Sequence, residues 1–127
     1  MSNYIALISG SLLLATGIGA GAFGAHALEN TLTSERLETW KTAVDYQVWN
    51  AIGLLLIALV SNSFGLELNW SKWLIFSGVL IFSGSLYILC LTDTSWLGAI
   101  TPIGGVCLIL GWILFTIHII KNHSLIS

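Results

Sequence analysis

Four long stretches of this chain contain no Asp, Glu, Lys or Arg, and they constrain its fold more than any other feature. They cover residues 1–28, 46–66, 73–92 and 94–120. Each stretch is about 20 residues or longer, which is the length that an α-helix needs to cross the hydrocarbon core of a membrane. The runs are continuous and do not alternate, as the strands of a membrane barrel would. We therefore predict an all-α membrane protein with four transmembrane helices that form a bundle.

The composition agrees with this prediction and excludes other classes of protein. The 127 residues are 56% hydrophobic and only 8% charged, and the mean hydropathy is +0.91. A soluble domain of this size needs a charged shell that so few ionised side chains cannot form. The net charge is −2 and there is no basic cluster. Nucleic acid is therefore not an expected partner, because nucleic-acid binding needs a basic patch.

The charge-free stretches predict one membrane domain whose boundaries follow from the flanking polar residues. The four predicted spans are residues 3–27, 42–61, 70–91 and 97–120. A short amphipathic segment at the interface is expected before the second span, with Thr33 or Ser34 as its cap and Glu35 in its first turn. Although Ala25-His26-Ala27 resembles a signal-peptide cleavage site, no basic residue precedes the first run, so we expect this run to remain as a span.

The orientation in the membrane is not decided by the positive-inside rule. The four Lys and Arg residues divide equally between the two sides of the predicted bundle. We take both termini as cytoplasmic, in a bacterial inner membrane.

Glycines recur at helical spacing within the spans and predict close helix contacts. Gly17 and Gly21 form a Gly-xxx-Gly pair, and Gly24 continues the same face of the first span. Small residues allow two helix backbones to approach and to gain dispersion contacts in lipid. The glycines that we expect at helix contacts are Gly17, Gly21, Gly24, Gly84, Gly104, Gly105 and Gly111.

Polar residues collect on one face of the membrane, where the first and third spans end and the second and fourth begin. Polar groups inside a membrane are costly unless they are paired, so they mark helix contacts or a ligand site. Lys72, His118 and Lys121 lie at the opposite face, where solvated ends are expected. The candidates for a polar cluster or ligand site are His26, Asp45, Tyr46, Gln47, Asn50, Ser83, Tyr87 and Thr101.

Two interpretations of His26 follow from the sequence. It could carry protons or bind a ligand, since histidine titrates near neutral pH. The preferred interpretation is structural, a hydrogen bond to the start of the second span or to the turn before the fourth. Asp45 could pair with Lys41, or turn inward to His26 and make a pH-sensitive contact. No metal or cofactor is expected, because only Asp45, Asp93 or Cys90 could join His26 at this end.

Five motifs carry a resemblance to a known family. They are "GAFGAHAL" at 21–28, "DYQ" at 45–47, "FSGSLY" at 82–87, "TPIGG" at 101–105 and "GW" at 111–112. As a set they resemble the DUF423 family of small membrane proteins, which includes YgdD-like and YwdK-like proteins and is similar to the eukaryotic transmembrane protein 256. The resemblance implies four transmembrane helices and no established biochemical activity. Relatives often have a histidine at the position of Asn50, which can hydrogen-bond but does not titrate.

Three kinds of function remain open. The preferred one is a structural or accessory membrane component that packs against a second copy or a larger membrane complex through its glycine-rich faces. The alternatives are an oligomeric transporter or channel for a small solute, and a protein that binds a lipid or another hydrophobic ligand. We do not expect an enzyme, because Ser83 and Ser85 have no histidine at a matched depth to activate them.

Overall fold

The computed structural model describes residues 1–126, and every regular element in this range is helical. The elements are α1 (Asn3–Gly19), a π-helical segment (Ala20–Gly24), α2 (Ala25–Leu28), α3 (Ser34–Phe64), α4 (Asn69–Thr92), a 3-10 turn (Ser95–Ala99), α5 (Thr101–Lys121) and α6 (His123–Ile126). Four units are long and apolar enough to cross a membrane: Asn3–Leu28, Ser34–Phe64, Asn69–Thr92 and Ser95–Lys121. The predicted all-α fold with four spans is confirmed.

A side-chain cap begins α3, and a residue in the left-handed backbone conformation ends each of α3 and α4. Thr33 caps α3, because its hydroxyl accepts a hydrogen bond of 3.2 Å from the backbone N–H of Arg36. Gly65, with φ of 63°, ends α3, and Asp93, with φ of 52°, ends α4. The predicted amphipathic segment forms the first turns of α3 and runs into the second span, since α3 continues without a break for 31 residues.

The four spans pack as a row in chain order. Helix α1 packs along α3, α3 along α4, and α4 along α5, whereas α1 touches α4 at only a few positions. In the most apolar part of each span, 50% of the residues of α3 and 44% of those of α4 are buried, against 17% in the first and last spans. The two outer spans therefore present most of their apolar surface outward, where lipid covers it.

The buried apolar residues form two separate clusters along the helices. The larger cluster lies toward the side of the chain termini and contains Ala6, Leu54, Ile57, Ala58, Leu66, Leu68, Ile75, Val79 and Leu108. The smaller cluster lies near the other end and contains Trp40, Leu89 and Cys90. Buried polar residues of α3 and α4 lie between the two clusters, at the level of Gln47 and Ser83.

Glycines of the first span bring it against α3. A methyl group built on Gly17 would lie 3.0 Å from Val48 Cγ2, and one on Gly21 would lie 2.9 Å from Val44 Cγ1. A methyl group on Gly24 would lie 2.9 Å from the Trp40 ring. These positions have room for hydrogen only, so the glycine face of the first span is a helix contact, as the spacing indicated.

The predicted glycines of α4 and α5 differ in their surroundings. A methyl group on Gly104 would collide with the backbone of Phe82, and one on Gly111 would lie 2.9 Å from Ile75 Cδ1. Gly105 lies at ordinary contact distance from the Phe82 ring, 3.8 Å away. The expectation for Gly84 is wrong, because a methyl group there would meet nothing within 4 Å.

Replacing Gly104 by alanine should destabilise the bundle. The added methyl group would force α4 and α5 apart where their backbones touch, and we expect the free energy of unfolding to fall by about 1–3 kcal/mol. Gly84→Ala is the matched control, since it adds the same atom to the neighbouring helix in open space. Unfolding in detergent micelles measures both variants. An equal loss in the two variants would contradict this account of the contact.

Candidate functional site

Gln47 joins three helices in the interior of the protein. Its side chain is buried, and its amide nitrogen donates to the Leu13 carbonyl at 2.8 Å and to Thr16 Oγ1 at 2.9 Å, both on α1. Its amide oxygen accepts a hydrogen bond of 2.8 Å from the Tyr87 hydroxyl on α4. Both amide hydrogens and the amide oxygen are therefore used within the protein, and α1, α3 and α4 are tied at one depth.

Asn50 makes the equivalent connection from α3 to α5. Its side-chain oxygen accepts a hydrogen bond of 3.0 Å from Trp112 Nε1, and its nitrogen donates to the Tyr46 carbonyl at 2.9 Å. Gly53, one turn further, leaves room for the Trp112 ring against the α3 backbone. The Tyr46 ring stacks on Phe82 of α4 with the ring centres 4.3 Å apart. The Asn50 amide oxygen and the Trp112 indole N–H therefore satisfy each other between α3 and α5.

Hydroxyl groups of α4 make two further contacts between helices. Ser83 is buried and donates a hydrogen bond of 2.7 Å to the Ala43 carbonyl on α3. Ser85 and Thr101 are both buried, and their hydroxyl oxygens lie 2.7 Å apart across α4 and α5. Thr101 also begins α5, with Pro102 in its first turn, where a missing N–H leaves no bond unmade.

Trp40 explains why the first span ends in small residues. Its indole N–H donates to the Ala20 carbonyl at 3.0 Å, and that carbonyl also accepts the N–H of Ala25 across the wider π-helical turn. The edge of its ring lies against Gly24, and its ring centre is 4.7 Å from that of Tyr87. The sequence analysis did not select Trp40 as a site residue. Its spacing of seven residues from Gln47 is the signal that places both on one face of α3.

His26 and Asp45 do not join this cluster. The His26 side chain is 82% exposed, and its Nδ1 lies 3.5 Å from a carboxylate oxygen of Glu29 in the same turn. Asp45 is exposed, and no ion pair or side-chain hydrogen bond involves it among the residues described. The expected contacts of His26 with other spans, and of Asp45 with His26 or Lys41, are absent from the described residues. Each residue lies two positions from a residue that contacts another helix, Gly24 or Gln47, and so about 200° around its helix.

The charged residues at this end form one contact that the sequence analysis missed. The Nε and Nη2 atoms of Arg36, at the start of α3, donate to Asp93 Oδ1 after α4 at 3.0 and 2.8 Å. The Cys90 thiol donates to the Arg36 carbonyl at 3.2 Å. The Arg36 side chain is only 23% exposed and is ion-paired. Residues far apart in the chain gave no local signal of this pairing.

A groove lies between α1, α3 and α4, beside Gln47 and its partners Thr16 and Tyr87. Its volume is about 340 Å³, within the range of small-molecule sites. The lining is mainly apolar, and the Gln47, Ser83, Tyr87 and Trp40 groups on it already bond within the protein. Among residues 1–126, no three His, Cys, Asp or Glu side chains are grouped so that they could hold a metal ion. The lining residues are Leu13, Thr16, Ala20, Trp40, Gln47, Val79, Leu80, Ser83, Gly84 and Tyr87.

Known proteins that resemble this chain are membrane proteins. Residues 20–105 match the pattern of the DUF423 family, described as a protein of unknown function. A UPF0382 membrane protein of Staphylococcus saprophyticus is 47% identical over 115 residues, which cover 91% of this chain and 96% of the relative. The chain belongs to the DUF423 family. Another member, the UPF0382 membrane protein YwdK of Bacillus subtilis, is 41% identical over 117 residues, 91% of this chain and 95% of the relative. No solved structure matches significantly.

Membership of DUF423 confirms the resemblance drawn from the motifs. The segments 21–28, 45–47, 82–87 and 101–105 lie within the matched region, and the pair at 111–112 lies just beyond it. These segments supply contact residues of the bundle, among them Gly24, Gln47 and Tyr87. The chain is therefore a membrane protein in a family of unknown function, whose matched motifs hold the four spans together.

The hydrogen bond between Gln47 and Tyr87 should be measurable as an energetic coupling. Gln47→Leu and Tyr87→Phe should each lower stability, and the double variant should lose less than the sum of the two. We expect a coupling free energy of about 0.5–1.5 kcal/mol, the range of hydrogen bonds between membrane helices. Unfolding of the four proteins in detergent measures it.

His26→Gln is the control for this cycle, because it changes an exposed polar residue of the same membrane face. Its stability should stay within about 0.5 kcal/mol of the parent protein. A coupling near zero, or a loss at His26 as large as that at Gln47, would refute the assigned network.

Proposed function

We propose that this DUF423 protein is a structural or accessory component of the bacterial inner membrane and is not an enzyme. The observation that carries the proposal is that the selected polar groups inside the bundle bond to other helices of the same chain. Gln47, Asn50 and Ser83 each have a partner within 3.0 Å on a neighbouring helix. Groups held in this way position the spans, and binding a polar ligand would require those bonds to break.

The serines that could act as nucleophiles support the same proposal. A nucleophilic serine needs a base within hydrogen-bond reach. Ser83 donates to a backbone carbonyl, and Ser85 is joined to Thr101. His26 lies exposed at the end of the first span, and His118 bonds to the Leu114 carbonyl near the end of α5. These positions favour a role in packing.

The partner surface that we propose is the outward apolar face of the outer spans. Large apolar side chains on α1 and α5 are exposed, among them Leu12 at 62% and Ile109 at 60%. Lipid covers these faces in an isolated protein, and a second copy or another membrane protein would replace it through dispersion contacts.

The groove beside Gln47 favours one second candidate, the binding of an apolar ligand such as a lipid chain. Apolar pockets of a few hundred Å³ with a few polar groups are the usual form of a site for hydrophobic small molecules. Gly84 lines the groove, and a side chain added there meets no protein atom within 4 Å at its first carbon. Gly84→Leu therefore places an apolar side chain in the groove from a position where the first carbon meets no helix contact.

Native mass spectrometry from mild detergent distinguishes the two candidates. For a structural component we expect the mass of the chain or of a defined assembly, with the same bound masses, if any, in the parent protein and in Gly84→Leu. Gly84→Ala serves as the matched control for the substitution. A bound apolar molecule present in the parent and in Gly84→Ala, but lost in Gly84→Leu, would overturn the structural proposal and establish the ligand site. Solute flux through vesicles containing the purified protein would instead establish a transporter.

We propose that both termini are cytoplasmic. Among residues 1–126, Arg36 on the opposite side is paired with Asp93, whereas Lys72 and Lys121 on the side of the termini have no carboxylate oxygen within 4.0 Å. Two cations without ion pairs thus lie on the side of the termini, and Lys41 on the other. The positive-inside rule counts every Lys and Arg and gives a tie here, so the proposed orientation rests on this difference in pairing.

Cysteine labelling in intact cells tests this orientation. Ser124 and Glu35 are exposed on opposite sides of the bundle, and each is replaced by cysteine in a chain with Cys90→Ser and Cys107→Ser. A membrane-impermeant maleimide should label Glu35→Cys in intact cells, and Ser124→Cys only after the membrane is permeabilised. The reverse pattern would place the termini outside.

A further inference from the structure

Lys72 is buried in the first turn of α4, although the sequence predicted a solvated end for it. The residue is 2% exposed. Its ammonium group donates to Asn3 Oδ1 at 2.6 Å and to Ser61 Oγ at 3.5 Å. The Ser61 hydroxyl itself donates to the Leu66 carbonyl at 2.6 Å, so its oxygen is free to accept. Lys72 therefore joins α1, α3 and α4 at the end opposite to His26.

The partners of Lys72 are neutral, and this distinguishes it from Arg36. Among residues 1–126, no carboxylate oxygen lies within 4.0 Å of its Nζ atom. An ammonium group has three N–H donors, and the two bonds account for two of them. A buried charge is costly unless an opposite charge accompanies it. Within the described part of the chain, the site therefore leaves one ammonium N–H without a partner and the Lys72 side chain without an opposite charge.

An open cavity of about 400 Å³, with polar and apolar lining in similar measure, adjoins Lys72. It lies between the start of α1, the end of α3 and the start of α4, and Leu68 before α4 makes no side-chain cap bond. The N-terminus of a helix carries partial positive charge and unpaired N–H groups, which favour anions. The cavity is lined by Ser2, Asn3, Ser61, Asn62, Gly65, Leu66, Glu67, Asn69 and Lys72.

The depth of the cavity matches that of lipid phosphates. Trp70 and Trp73 flank Lys72 in sequence and are 74% and 48% exposed. Exposed tryptophans at the end of a span lie at the membrane interface, at the level of the head groups. The α-amino group of Met1 lies near enough to Lys72 that burial, and then the charge of Lys72, lower its pKa.

We propose that the cavity at Lys72 binds a phosphate-bearing anion, either the head group of an anionic phospholipid or free phosphate. The Lys72 ammonium supplies the charge, and the polar side chains of α1 and α3 supply hydrogen bonds. Glu67 lines the same cavity without an ion pair to Lys72. Its carboxylate opposes the anion, so the affinity reflects the difference between the two charges.

The test is a titration of the full chain in dodecyl maltoside with phosphatidylglycerol, followed by native mass spectrometry. Lys72→Met keeps the length of the side chain and removes its charge, and it should weaken phosphatidylglycerol binding about tenfold or more. Lys121→Met is the matched control, because Lys121 is exposed on the same side of the bundle. It should change the affinity by less than about twofold.

Inorganic phosphate distinguishes the two sources of the anion. If it binds with the same dependence on Lys72 and displaces phosphatidylglycerol, free phosphate is the ligand. If it neither binds nor competes while the lipid binding depends on Lys72, the ligand is the phospholipid. Equal binding by the parent protein and Lys72→Met in both titrations would overturn the proposal, as would an equal loss in Lys121→Met.

A second variant covers the case in which Lys72→Met does not fold. Glu67→Gln removes the opposing carboxylate from an exposed position, so it should tighten binding of the anion by about threefold or more. Unchanged or weaker binding in Glu67→Gln would count against the site. The helical circular dichroism of each variant verifies that it remains folded.

Discussion

The hydrogen bonds of Gln47 are the interaction on which the arrangement of the first three spans depends. Inside hydrocarbon an amide has no water to bond to, so each of its polar atoms needs a partner in the protein. Gln47 finds two partners on α1 and one on α4. Meeting all of them at once fixes how far α1 and α4 are rotated and shifted against α3. Apolar contacts alone would permit many such rotations, because lipid is as apolar as the helix surfaces.

Trp40 and Trp112 each reach a hydrogen-bond acceptor on another helix because a glycine lies against the ring. The Trp40 indole donates to the Ala20 carbonyl across a helix contact, and Gly24 leaves room for its ring. Trp112 donates to Asn50, and Gly53 leaves room in the same way. A large ring gains dispersion contacts while its one donor is satisfied. Gly24 and Gly53 therefore form one side of each contact, and their role is to leave room for a ring and not to make the chain flexible.

The depth of each residue in the membrane could be predicted from the sequence, but the helix face on which most polar residues lie could not. Charge-free runs gave the four spans, and glycine spacing gave the contact face of the first span. His26 lies at the expected end of the first span, yet it points about 200° away from the helix contact at Gly24. The prediction for Gly84 is wrong for the same reason, because a glycine that lines a groove and a glycine at a helix contact cannot be distinguished in the sequence. Lys72 differs again, because burial of a terminal lysine depends on Asn3 and Ser61 from other spans.

The buried or partly buried cations on the two membrane faces differ in the charge of their partners. On the His26 face the partly buried cation, Arg36, has a carboxylate partner in Asp93, and the exposed ones can be solvated. Deeper in the bundle the polar groups are neutral amides and hydroxyls, which neutral partners satisfy fully. Lys72 is buried beside neutral partners, so its ammonium group makes hydrogen bonds but has no opposite charge next to it among the described residues. A residual field of this kind acts on whatever anion the adjoining leaflet supplies, and the membrane interface is rich in phosphate. The structural core and the charged cavity can thus serve separate roles in one small bundle.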